Sequence, residues 1–194
     1  MITTKTITVY SPDALPTPHA KRRAFDTLGQ FETDDDWYAF IFEEFTARLE
    51  TRGYGDPQLA FSGFGSQGDG ASFTATLNLP RLCATLKFPL PTVPFDAMLA
   101  TLARIDSHYS HPNTVRVEID AENDGTPCSP TRAEALDTEL TALETALTTD
   151  VRTLSRELYA ALETEYFDRI DEENLVNVAT INEYWFDQDG HLVR

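Results

Sequence analysis

The stretch L59-A-F-S-G-F-G-S-Q-G-D-G-A-S-F-T-A-T-L77 decides how the chain is read. Three glycines, Gly65, Gly68 and Gly70, and Asp69 sit between two strand-like flanks, Leu59–Phe64 and Ala71–Leu77, with a fourth glycine, Gly63, near the end of the first. In the second flank Ala71, Phe73, Ala75 and Leu77 share one face, and Ser72, Thr74 and Thr76 share the other. Period-two alternation of this kind builds a strand with one wet face, and two such strands joined by a short loop pair antiparallel. The rest of the chain therefore has to supply helices that cover this sheet, which is an α+β architecture.

Outward from the hairpin, the apolar spacing changes from two to three and four. Trp37, Phe40, Ile41, Phe45 and Leu49 mark one helical face, with Asp34 or Asp35 as its cap and Gly53 and Gly55 as its end. An earlier helix is expected from about Thr17 to Leu28, stopped by Gly29, and a short strand at Thr6–Tyr10. The stretch L79-PRLCATLKFPLPTVP-94 reads as a further short strand or helix. Phe95, Met98, Leu99, Leu102 and Ile105 predict a second amphipathic helix, followed by a strand at Thr114–Ile119. Between them lies R104-I-D-S-H-Y-S-H-P-N113, which holds half of the four histidines.

After the break A121-ENDGTPCSP-130, one long helix is predicted from Thr131 to about Tyr166. Its stripe is Leu136, Leu140, Leu143, Leu147, Val151, Leu154, Leu158 and Leu162. The steps of four and three drift off a strict heptad, as in a helix lying across a sheet rather than a long coiled coil. Asp171 is positioned to cap a shorter helix carrying Leu175, Val178 and Ala179. N182-EYWFDQDGHLV-193 reads as a terminal β-hairpin turning at Asp189-Gly190. One α+β domain over residues 1–194, with a subdivision near 121–130, accommodates all of these elements.

Composition narrows the function classes. Fifteen Lys and Arg stand against 32 Asp and Glu, a net charge of −17. Binding to a phosphate backbone needs clustered cations, and here three lysines and scattered arginines are all there is, so direct nucleic-acid binding is disfavoured. Two readings of the acidity stay open: solubility or adaptation to a salty cytoplasm, and a phosphate-like surface for a basic protein partner. No apolar run approaches the roughly 20 residues of a membrane span, and the N-terminus lacks a secretory pattern. A cytoplasmic protein with no membrane partner is expected. Cys83 and Cys128 lack CxxC spacing and are read as reduced structural thiols.

Two constellations are candidates for chemistry. Ser66, Gln67, Gly68, Asp69 and Gly70 form the loop tip. The pattern lacks the Gly-Lys-Ser/Thr ending of a phosphate loop, and a strand rather than a helix follows it, which excludes a dinucleotide fingerprint. Phe64 two residues before Ser66 excludes a nucleophile elbow. A plain turn, an interaction surface and a catalytic or metal role for Asp69 remain. The second constellation is Asp106, His108 and His111, where a His-x-x-His pair with a carboxylate could ligate a divalent metal, the one cofactor the residues admit. Its alternative is an ordinary helix end, whose dipole favours a cation. The carboxylates of T33-DDDW-37 read as capping groups. No Ser/His/Asp or Cys/His order for nucleophilic catalysis stands out.

The loop F61-SGFGSQGDGASF-73, preceded by D34-DDWYAFIFEEF-45, resembles a family of small proteins from bacteriophages and bacterial mobile elements, some labelled antitoxin-like. That family carries an aromatic residue after SGF, where this chain has Gly65. Tyr109–His111, Val115–Ile119 and the ending N182-EYWFDQDG-190 fit the same pattern, so the resemblance runs from about Asp34 onward. It implies a phage- or plasmid-borne accessory protein that binds and neutralises a host or defence factor, and it transfers no catalytic residue. The competing reading is a small enzyme or ligand-binding protein in which Ser66, Gln67 and Asp69 converge with Asp106–His111. A virion subunit is a third.

Overall fold

The computed structural model describes residues 6–34, 36–89, 98–104, 110–121 and 130–193. The elements are α1 (Pro18–Thr33), α2 (Ala39–Arg52), β1 (Tyr54–Ser62), β2 (Gly70–Leu77), α3 (Leu79–Leu86), β3 (Met98–Arg104), β4 (Val115–Ala121), α4 (Pro130–Ile170), α5 (Glu172–Ile181), β5 (Trp185–Phe186) and β6 (Leu192–Val193). The fold is α+β, as expected, and the described residues form three two-stranded antiparallel sheets pairing β1 with β2, β3 with β4, and β5 with β6. Two compact units form: residues 40–161, and residues 1–39 with 162–194.

In the first unit, β1 and β2 pair from Tyr54↔Leu77 to Ser62↔Gly70, with a register shift between Gly55 and Gln58. Pro57, which has no N–H to donate to a ladder, and Asp56 at φ 47° occupy that shift. The core gathers Leu49 of α2, Tyr54 and Phe73 of the hairpin, and Leu82 and Cys83 of α3. Leu102, Val117 and Ile119 of the second sheet and Leu143, Leu147, Val151 and Leu154 of α4 complete it. The predicted α4 stripe is therefore the buried one from Leu143 onward. Burial raises the Cys83 thiol above its ordinary range, which keeps it protonated and inert.

The second sheet corrects the helix expected around Met98. Met98–Arg104 is a strand in register with β4, Leu102 opposite Val117 and Ala100 opposite Ile119. Met98, Leu99 and Leu102 fit helical spacing, but Met98, Ala100 and Leu102 also fit period two. Packing against the core selects the second: Leu102 is buried and Leu99 is 62% exposed. Phe95 and Ile105 lie outside the described residues.

Beyond β3, the far edge of β4 would leave backbone groups bare, and α4 covers it with polar side chains four residues apart. The Ile119 N–H donates to Glu144 Oε1 at 2.7 Å, the Val117 N–H donates to Thr148 Oγ1 at 2.9 Å, and Arg152 Nε donates to the Val115 carbonyl at 3.2 Å. A helix repeats its face every three or four residues, so a single row reaches successive outward-facing groups of the strand. Pairing an edge in this way removes a template for aggregation.

The other unit packs α1 on α5 and the terminal hairpin, burying Leu15, Ala24, Leu28, Leu175, Ala179 and Phe186. Thr17 caps α1 by accepting the Ala20 N–H, and Asp171 caps α5 by accepting the Glu173 N–H, the latter as expected. Gly29 does not end α1, which runs on to Thr33. A helical glycine costs only about 1 kcal/mol relative to alanine, and burying Leu28 offsets it. Asp34 is the C-cap of α1 rather than the N-cap of α2, and Asp35 lies outside the described residues. The strand expected at Thr6–Tyr10 reduces to one bridge, Tyr10 to Phe186.

After α5 the chain turns through Glu183 at φ 55°, with the Tyr184 N–H reaching back to the Ala179 carbonyl. This helix ending usually carries glycine. The hairpin docks on α1 through Gly190, where a Cβ would lie 2.2 Å from the Ala20 carbonyl oxygen, so only glycine fits. Among the described residues no helix is long and apolar enough to cross a membrane.

Candidate functional site

Strand pairing brings Ser62 beside Gly70, so residues 63–69 close the β1–β2 hairpin. Two contacts with Tyr159 of α4 and three local ones hold this loop. Phe64 stacks on Phe61 at 5.7 Å between ring centroids and lies 5.5 Å from Tyr159 of α4. The Tyr159 hydroxyl reaches toward the Gly63 carbonyl at 3.5 Å. Locally, Asp69 Oδ2 accepts the Ser66 N–H at 2.7 Å, and the Asp69 N–H donates to the Ser66 carbonyl at 3.1 Å.

Gly63 leaves room for that carboxylate, because a Cβ there would sit 3.3 Å from Asp69 Oδ2. Gly65 at φ 120° and Gly68 at φ 99° supply left-handed backbone that L side chains avoid. An aromatic residue in place of Gly65 would be strained in this conformation, although nothing crowds the space around it. The result is a braced loop whose tip, Gly65, Ser66 and Gln67, is exposed while Asp69 is half-buried and Gly70 buried. Asp69 is thus a loop-closing residue, its Oδ2 engaged by the Ser66 N–H.

The histidine segment meets the loop at one point. A Cβ on Gly70 would lie 2.9 Å from the Ser110 carbonyl oxygen and 3.1 Å from His111 Cα, so β2 begins directly against Ser110–His111. His111 does not end a helix. It caps a short 3-10 turn at Pro112–Thr114, its Nδ1 accepting the Asn113 N–H at 3.1 Å, which places the ring proton on Nε2. Asp106 and His108, the other two residues of the expected metal set, lie outside the described residues.

One cluster escaped the sequence reading. Asp187, Asp189 and His191 of the terminal hairpin bring potential ligand atoms within 4.8 Å of one another. Their hydrogen bonds explain the closeness without an ion. Asp187 Oδ1 accepts the N–H groups of Asp189 and His191 at 2.9 and 3.0 Å. Arg23 Nη1 lies 2.8 Å from His191 Nε2, and a guanidinium only donates, so Nε2 accepts and Nδ1 carries the proton toward Asp187 Oδ2 at 3.3 Å. The spacing D187-Q-D-G-H191 was the available signal. What it encodes is a clasp between hairpin and α1.

A largely buried carboxylate in the 40–161 unit is equally structural. Asp150 of α4 accepts from Arg52 Nη2 at 2.5 Å and from the Tyr54 hydroxyl at 2.8 Å. Burial, then the Asp150 charge, push the Tyr54 phenol well above its ordinary range, so it stays a donor.

Comparison with known proteins adds the family alone. No curated protein and no solved structure matches the chain. A family model described as "Domain of unknown function (DUF8835)" matches residues 37–172, a span that takes in the glycine loop, His111 and the whole of α4. The chain belongs to the DUF8835 family.

Proposed function

We propose that the protein acts by binding another protein, as an inhibitor or antitoxin directed at a basic host or defence factor, and that the loop tip Gly65–Gln67 is its recognition surface. The observation that carries this reading is the bond from the Ser66 N–H to Asp69. It commits the loop's own carboxylate to holding the loop, so that Ser66 and Gln67 are presented outward in one preformed conformation. A pre-ordered tip loses little entropy on binding, which is what a recognition loop requires. The net charge of −17 steers such a surface toward a basic partner and raises the association rate. The resemblance of the loop to phage and mobile-element proteins supports the same setting.

Affinity capture from host lysate tests the proposal, comparing the native chain with Ser66→Ala/Gln67→Ala and with Asp69→Ala at low and high salt. The expected result is one basic protein retained by the native chain, weakened by salt and lost with the tip variants. Capture that is indifferent to both tip and salt would overturn it.

A second reading, a ligand or metal site shared by the loop and the histidine segment, is favoured by one observation: Gly70 abuts His111. It predicts saturable Zn2+ or Mn2+ binding in titration calorimetry that disappears in His111→Ala. Equal heats for native chain and variant would exclude it.

A further inference from the structure

The unit formed by residues 1–39 and 162–194 carries a groove of about 1100 Å³ between α1, α5 and the end of α4. Its apolar surface comes from Phe25, Tyr166, Ile170 and Val176, all half-buried and thus only partly covered. Charged side chains line its edges: Lys21, Arg22 and Asp26 on α1, and Glu172 and Glu173 at the start of α5. Lys21 is close enough to Asp13 to add to the effect of a Ser11 hydrogen bond in holding that carboxyl below its ordinary range. Four carboxylates, Asp13, Asp26, Glu172 and Glu173, thus outnumber the two cations Lys21 and Arg22 around the groove.

We propose that this groove seats a basic amphipathic helix supplied by a protein partner. An apolar strip walled by two helices and edged by charge is the shape into which a third helix packs, its apolar stripe down and its polar flanks against the rims. The sign of the rim selects the occupant. The unit holds fifteen Asp and Glu against six Lys and Arg, so a second copy would bring like charge onto like charge. Nucleic acid and anionic membranes are repelled for the same reason. A helix with leucine-like residues at i, i+3, i+4 and i+7 and lysine or arginine beside them satisfies both floor and rim. The inference goes beyond the loop reading and stands apart from it, since it uses none of residues 61–73.

The structure provides a reporter. Trp37 lies 5.7 Å from Tyr166 at the groove, and Trp185 is the only other tryptophan. In a Trp185→Phe background, a synthetic Leu/Lys peptide of helical spacing is titrated while Trp37 fluorescence is followed, with a Leu/Glu peptide of the same pattern as the comparison. The expected result is saturable binding of the Leu/Lys peptide alone, weakened about fivefold or more in Glu172→Gln/Glu173→Gln and unchanged in Glu134→Gln/Asp137→Asn, which removes equal charge from the exposed start of α4. Both double variants alter exposed side chains, and circular dichroism checks that each folds. Equal weakening by the two double variants, equal binding of the two peptides, or no saturable binding would each overturn the proposal. Capture through the loop tip would survive such a failure, and loss of capture in the tip variants would leave this titration unaffected.

Discussion

Asp69 Oδ2 and the Ser66 N–H are joined at 2.7 Å across the turn of the β1–β2 loop. A charged acceptor on a backbone donor is among the stronger local bonds, and here it substitutes for the cross-strand ladder that ended at Ser62 and Gly70. Asp69→Ala is expected to lower stability by about 1 kcal/mol, and Asp69→Asn by less, because the amide oxygen can still accept. Urea denaturation measures both. Faster hydrogen exchange at the Ser66 amide in Asp69→Ala, with the β1–β2 ladder still protected, would locate the loss in the loop. Unchanged exchange would refute it.

Gly70 meets Ser110 and His111 backbone closely enough that no side chain fits without movement. Gly70→Ala is expected to cost about 1–3 kcal/mol as an overpacked contact between backbones. The shift in the urea midpoint checks this, and amide chemical shifts at His111 and Thr114 should move with it. A neutral substitution would mean that the two segments are not in contact.

Asp150 accepts from both Arg52 and Tyr54, and its own side chain is 11% exposed. Removing it leaves a buried phenol and a largely covered guanidinium without their acceptor. Asp150→Ala should therefore cost about 3 kcal/mol, whereas Tyr54→Phe, which removes only one donor, should cost about 1 kcal/mol. Thermal unfolding of the two variants orders them. The reverse order would show that the phenol bond, not the charge, holds the turn between α2 and β1.

Asp187 has its carboxyl held below the ordinary value of 3.8, first by the His191 N–H and then by the Asp189 N–H and the His191 ring. A folded-state pKa below the unfolded one adds stability that is complete above the unfolded value and is lost as pH falls through the folded one. The hairpin clasp is thus expected to stay intact at mildly acidic pH and to release below about pH 3.8. Trp185 fluorescence followed from neutral pH downward measures the release. Asp187→Asn should flatten that acid limb. A transition centred near neutral pH would contradict the assignment.

Much of this was legible before any tertiary contact was known, and the exceptions share a cause. The α4 stripe from Leu143 onward, the Asp171 cap, the two glycine-turned hairpins and the Ile41, Phe45 and Leu49 part of the α2 face are local patterns, and the structure keeps them; Phe40, expected on that face, is 50% exposed, and Trp37 precedes the helix. Met98–Arg104 spans seven residues, too few to separate period two from helical spacing, and pairing with β4 decided it. Gly29 and Asp34 carry ordinary stop and cap chemistry, yet burial of Leu28 carried α1 past the first and gave the second to the helix end before it. Thr6–Tyr10 had strand-forming residues and found one bridge for them, because a strand exists only where a partner offers a ladder.

At the candidate site, the sequence by itself determined the loop's glycine content, its departure from nucleotide-binding patterns and the net charge of −17. Those properties are written in residue type and spacing. Tertiary structure alone decided that Asp69 binds its own loop, that Gly70 rests on His111, and that His191 and the Asp189 carbonyl are tied to Arg23. Each depends on which groups the fold brings within about 3 Å of one another. Composition does not encode that distance; the packing of α4, α1 and the hairpins sets it.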